Sequence, residues 1–250
     1  MQITIMKTKN YLSLFIIVLL MLSACKKPVT RVIKFTSTTY QTLGTYNSSG
    51  EPNYLVTPDT ISSALLSFIN TTLPGGQNLT LSHPELFSAS TAIADIKITQ
   101  QSDVYVTFVE QDGQFANSLA FYTYPTIQPP ASTSDIKLIT YAFPNSGHLT
   151  PLKPGDKVKI GRFDVGTSIG FVLMQNAWDT TTSKLNNDAV HFCTNDILNP
   201  EADPNLRKHA VLINYAPENK TLVGFEDNLR TSPKCDNDFN DVLIYTTVKP

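Results

Sequence analysis

The chain has 250 residues, a formal net charge of −2 and 16% charged residues. This near-neutral balance, with no basic stripe, excludes nucleic acid as a partner class. The length allows one large β domain or two small ones. Frequent Ser, Thr, Asn and Asp beside many aromatic and β-branched residues suit an all-β extracytoplasmic protein better than a cytosolic α/β enzyme.

The first 24 residues carry Lys7 and Lys9, then the apolar run "YLSLFIIVLLML" at 11–22. That run is short for a membrane span and has the layout of a secretory signal peptide. "LSAC" at 22–25 resembles the lipobox of bacterial lipoproteins. The resemblance implies cleavage before Cys25, a lipidated thiol, and anchoring of the protein to a membrane through it. Lys26 is not an inner-membrane retention signal of the Asp type, so the expected location is the outer membrane, with either face open. Residues 25–35 are expected to hold the lipidated Cys and a tether, and "RVIKFTSTTY" (31–40) a first strand.

"DTISSALLSFINTTLPGG" (59–76) predicts one short helix with Asp59 as N-cap. Its Ile61, Leu65, Phe68 and Ile69 share a face, and Pro74-Gly75-Gly76 ends it. Period-two segments follow at 94–99, 103–109, 118–124, 135–143, 156–163, 168–174, 209–215, 221–225 and 241–248. Turn signals such as "QDGQ", "PNSG" and "KPGD" separate them. The pattern predicts an all-β fold, a β-sandwich or jelly roll. The proline-rich link at 125–134 divides the chain into 36–130 and 131–250, or is a loop within one continuous domain, 36–250.

Near the C-terminus stands "CDNDFNDVLIY", in which five of the six residues from 236 to 241 carry side-chain oxygens. Ten residues upstream lies Glu226-Asp227. Like charges this close repel unless something neutralises them. Asp236, Asp238 and Asn240 have the spacing that opens an EF-hand loop, but position six is Asp241 rather than Gly and position twelve is Thr247 rather than Glu. The expected site is a calcium site outside that motif, built from Glu226, Asp227, Asp236, Asp238, Asn240 and Asp241. The plain alternative is that these residues cap turns.

With Cys25 lipidated, Cys193 and Cys235 remain. In an oxidising compartment they are disulfide candidates, a bridge contributing ~4 kcal/mol in the chain-entropy picture. The alternative is two separate buried thiols. His83, His148, His191 and His209 are dispersed and form no zinc motif. No G-x-S-x-G or triad is evident, so no catalytic residue is assigned and the chain is read as non-enzymatic. Trp178 is either a packed ring or a sugar-stacking one.

"INTTLPGG", "DVYVTFVEQDGQFANSLAFYTY", "GFVLMQNAWD", "FCTNDILNPEADPNLRKHAVLINY" and "LVGFEDNLR…DNDFNDVLIYTT" occur in that order. Together they resemble the LruC-type domain family of bacterial surface and outer-membrane lipoproteins. The resemblance covers about residues 60–248. It implies a secreted, β-rich, calcium-binding module without established catalysis; the function expected for this chain is a binding or structural module of the envelope, in adhesion or in glycan or protein capture. Asn117 and Asn176 match recurring family positions, as supporting residues. The loop "EQDGQF" departs from the family's Gly-rich form, and Cys235 stands where Ser is more usual. A polysaccharide hydrolase is the alternative function; it requires two carboxylates flanking a cleft.

Overall fold

The structure, a computed structural model, describes residues 30–31, 33–88, 92 and 94–250. The expected signal peptide, the lipidation at Cys25 and residues 25–29 of the tether lie outside the described residues. The described chain is an all-β sandwich. Its elements in order are β1 (Thr39–Thr42), α1 (Ser63–Thr72), α2 (Leu79–Ser82), β2 (Ile96–Lys97), β3 (Ser102–Glu110), β4 (Ser118–Pro125), β5 (Leu138–Phe143), β6 (Lys157–Phe163) and β7 (Thr167–Gln175). There follow β8 (Trp178–Asp179), β9 (Lys184–Leu185), β10 (Val190–Cys193), β11 (Ala210–Tyr215), β12 (Lys220–Phe225) and β13 (Val242–Lys249).

One sheet runs β1-β5-β4-β7-β10, with β2 also on β7; the other runs β11-β12-β13-β3-β6. Residue 130 lies in the β4–β5 connection, and both sheets draw strands from either side of it. The inner faces meet in one core that includes Val104, Val106, Phe108, Leu119, Phe121, Phe171, Leu173, Phe225, Val242 and Ile244. Full burial of each such side chain contributes ~1.5–3 kcal/mol.

The outer faces are covered as well. Phe35, Ile136 and Leu198 close over Ala120, Tyr122, Val172 and Cys193 on the first sheet. On the second, Leu65, Ile69 and Leu73 of the α1 region, with Leu79 and Phe239, close over Val109, Val211, Leu222, Leu243 and Tyr245. Strands buried on two faces need no polar alternation. This explains the continuous apolar runs "FVLM" in β7 and "VLIY" in β13.

Several expectations are corrected. The cap of α1 is Ser62, whose Oγ accepts from Leu65 N at 3.0 Å. Asp59 instead accepts from Thr107 Oγ1 (3.1 Å) and Tyr245 Oη (2.9 Å) and pairs with Lys157. The helical face is as expected: Leu65 and Ile69 are buried, and Ile61 and Phe68 pack beside them. Residues 30–31 and 33–35 are not a free tether. The Arg31 guanidinium donates to the carbonyls of Ile197, Asn199 and Glu201, and Phe35 stacks on His191 with ring centroids 4.3 Å apart. The first strand is accordingly short, because the apolar residues before it serve as cover. Trp178 is a packed ring, 3% exposed, edge-on to Tyr46.

Candidate metal centre

The site forms where β3 and β12 end and β13 begins. Beyond Phe225, Glu226 N donates to His209 O at 2.9 Å, and His209 Nδ1 lies 3.1 Å from Glu226 O. The other ring nitrogen of His209 meets Glu201 Oε1 at 2.8 Å, and both side chains are fully buried. The ring bridges the backbone at Glu226 and the carboxylate of Glu201. The end of β12 is thus clamped from below.

The loop from Cys235 into β13 has an unusual backbone. Asn237 and Phe239 are both left-handed, with φ of 63° and 57°. Asn tolerates this; a bulky residue such as Phe stores about 1–3 kcal/mol of strain. The Phe239 ring offsets that by full burial, 5.3 Å from the Phe87 ring and 5.3 Å beneath the Arg230 guanidinium. Gly224 is required beneath it, because a Cβ there would collide with the Phe239 carbonyl oxygen. So the glycine of "VGFED" exists for the loop that faces it.

Six residues were expected as ligands. Glu226, Asp236 and Asp238 converge, offering carboxylate oxygens that all lie within 4.8 Å of one another. Asp238 is steadied by Gly76 N (2.7 Å) and Asn240 N (3.3 Å). Asp227 and Asp241 form a neighbouring pair, with Asp227 N donating to Asp241 Oδ2 at 2.7 Å. The Asn240 side-chain amide sits beside Gly75. Glu226, Asp227 and Asp238 are buried, while Asp236 is exposed.

Support comes from far along the chain. Asn117, fully buried, donates Nδ2 to Asp227 Oδ2 at 2.7 Å and accepts from Asn176 N. Gln175 Nε2 donates to Asp227 O at 2.7 Å. The loop after β3 also closes on the site: Asp112 N and Gly113 N donate to Asp241 O. A Cβ at Gly113 would collide with Asp227 Oδ2. Of these, Asn117 and Asn176 had a signal in the sequence through the family resemblance, as did the loop holding Asp112 and Gly113, though in a form departing from the family's.

No direct ion pair among the described residues neutralises the charge, and the Arg230 guanidinium acts on Glu226 only at longer range. Among the described residues no Lys, Arg or His side chain forms an ion pair with any of these carboxylates. Burial, then Asp241 and Asp236, pushes Glu226 up to about 8. Burial and then Asp227 push Asp241 up to about 8. Asp227 is pushed up to about 6, and Asp238 upward, chiefly by burial. Glu226 Oε2 and Gln111 Oε1 are buried without a hydrogen-bond partner. A convergent set of oxygens with an orphaned carboxylate atom is the donor chemistry of a hard cation. It is tighter than the ~5–9.5 Å separation of glycosidase carboxylates.

The cysteine pairing is not formed. Both thiols are free. Cys193 is buried beneath the outer cover of the first sheet, whereas the Cys235 thiol lies beside Glu226.

Residues 163–249 match the family model of a domain of unknown function, DUF4114. Among curated proteins and among solved structures, no match is found. The DUF4114 match spans β7–β13 and every expected acidic ligand. It leaves out β3, which lies between β13 and β6, and Asn117, which holds Asp227.

Proposed function

We propose that the acidic loop binds calcium and that the protein is a lipid-anchored, non-enzymatic binding or structural module of the bacterial cell envelope. The observation that carries the calcium reading is the buried, unpartnered Glu226 Oε2 beside Asp236 and Asp238, with no cationic side chain paired to any of them. Glu226, Asp236 and Asp238 are the primary ligands, with Asp227, Asp241 and Asn240 as neighbouring donors. Bound calcium would neutralise these carboxylates and tie the strained loop to the end of β12. Anchoring and an outer-membrane location rest on the "LSAC" stretch and the resemblance to LruC-type lipoproteins; a glycan or protein is the partner proposed for such a surface module.

The test is a melting curve in EDTA and in 10 mM calcium. With a Kd of ~0.1–1 mM, as in extracellular modules, calcium stabilises by about 1.4–2.7 kcal/mol and raises Tm by about 3–10 °C. An unchanged Tm overturns the calcium reading. Release of the protein from membranes by Cys25→Ser checks the anchor; retention of that variant overturns it.

A further inference from the structure

At the end of the sandwich opposite the acidic loop, β4 and β5 part company. Their ladder stops at Phe121↔Thr140. From there β4 continues to Pro125 on β7 alone, while Leu138 and Ile139 pair with β1. Between the separated strands opens a cleft of about 930 Å³, flanked by the proline-rich β4–β5 connection and reaching Phe163 at the end of β6. The volume is at the upper end of small-ligand sites, ~300–1,000 Å³.

We infer that this cleft binds a neutral oligosaccharide, and that it is the partner site of the binding module proposed above. Its wall includes Phe163 and Tyr124, both half-buried, the Tyr124 ring stacked on Tyr122 and its hydroxyl bonded to Asp95, and the exposed amides of Gln41 and Gln128. Thr123 and Thr140 add hydroxyls. Gln41 Nε2 donates to Thr140 Oγ1 at 3.2 Å, leaving its carbonyl oxygen and second N–H for a ligand. Amides and hydroxyls that both donate and accept match sugar hydroxyls, and ring faces match the C–H faces of a pyranose.

The charged side chains of the lining are Asp135 and Lys137, one of each sign, and both are engaged locally. Asp135 accepts from Ala131 N and Ser132 N, and Lys137 Nζ donates to Ser134 O. Nothing there attracts a polyanion, and a hydrolase's carboxylate pair is absent from the lining. The free edge of β4 could in principle take an added peptide strand. That edge is only Tyr122–Pro125, and Pro125 has no N–H to give.

The inference rests on the binding-module reading, but it stands apart from the calcium site, which lies at the other end of β4, a strand about 23 Å long at ~3.3 Å per residue. The experiment is calorimetric titration of the protein, in calcium, with cellohexaose, laminarihexaose, xylohexaose and maltohexaose. Heparin and an extended decapeptide are run alongside. At least one neutral hexasaccharide is expected to bind. Phe163→Ala and Gln41→Ala are each expected to weaken it about tenfold or more, while the calcium-induced Tm shift stays as in the parent. No binding of the neutral probes, binding of heparin or peptide only, or sugar binding that survives both substitutions overturns the inference. A lost calcium shift with sugar binding intact would fault the calcium reading alone.

Discussion

The two ends of the sandwich are built on opposite principles. At one end, carboxylates are buried together, the backbone is left-handed at Phe239, and Gly224 and Gly113 admit contacts no side chain would allow. At the other, two strands separate and leave a neutral cleft with no strained backbone among its lining residues. The first end carries an electrostatic cost that the fold alone does not relieve; the second carries none. A bound cation would therefore change the stability of the molecule, whereas a ligand in the cleft would come and go with little consequence for the fold.

The largest effect should come from Phe239→Ala. Removing this fully buried ring costs about 3–5 kcal/mol, because nothing else fills the space over Gly224 and the strained loop loses its anchor. Urea unfolding with and without calcium should show both a lower midpoint and a smaller calcium increment. The counterpart, Phe163→Ala, should lower stability far less and leave the increment unchanged. Equal effects at both ends would erase the distinction between them.

The next effect is on pH dependence. Glu226 and Asp241 sit near 8 and Asp227 near 6 in the folded protein, all above their ordinary values. A raised carboxylate stabilises the fold while protonated, and that stability is lost as pH rises from the unfolded value near 4 through the folded one. In EDTA, Tm should therefore fall between about pH 5 and pH 8. In saturating calcium the fall should shrink or reverse, since the ion displaces the protons and takes over their role. Melts at pH 5, 6.5 and 8 check this; a flat EDTA series would mean the carboxylates are relieved by something other than protons or metal.

Smaller again is Asn117→Ala, expected to cost about 1–3 kcal/mol by leaving Asp227 without its buried donor. It should also weaken calcium binding without abolishing it, measurable as a smaller calcium-induced Tm shift. An unchanged calcium affinity would confine Asn117 to holding Asn176 in place.

Much of this was legible in the chain because it is local. Strands β3, β4, β6, β7 and β11–β13 follow from apolar periodicity and turn residues, and their bounds fall within a residue or two of expectation. The acidic residues stand out by density alone. What the sequence hid is long-range. Asp59 looked like a helix cap because an Asp precedes a helical run; its partners Thr107, Lys157 and Tyr245 lie at distant positions. Ile33 and Phe35 looked like strand residues but cover the first sheet's outer face. Strand β10, "VHFC", is too short to show a period. The support of Asp227 by Asn117 and Gln175, and of Glu226 by the His209–Glu201 pair, depends on how the strand ends meet.

The smallest effect concerns the thiols. Burial pushes Cys193 and Cys235 above the ordinary thiol range, so both are poor nucleophiles as well as unpaired. A reducing agent should then leave Tm unchanged, and denatured protein carrying Cys25→Ser should titrate both thiols with a disulfide reagent. Loss of several degrees on reduction would restore the bridge. Cys235→Ser separates the remaining roles. It keeps a hydroxyl donor toward Glu226, so stability and calcium response should stay near the parent, while Cys235→Ala removes the donor and should raise the cost of ionising Glu226. In EDTA, the Ala variant's Tm should therefore fall more steeply toward pH 8 than that of the Ser variant, and identical slopes would show that the thiol does not bear on the acidic cluster.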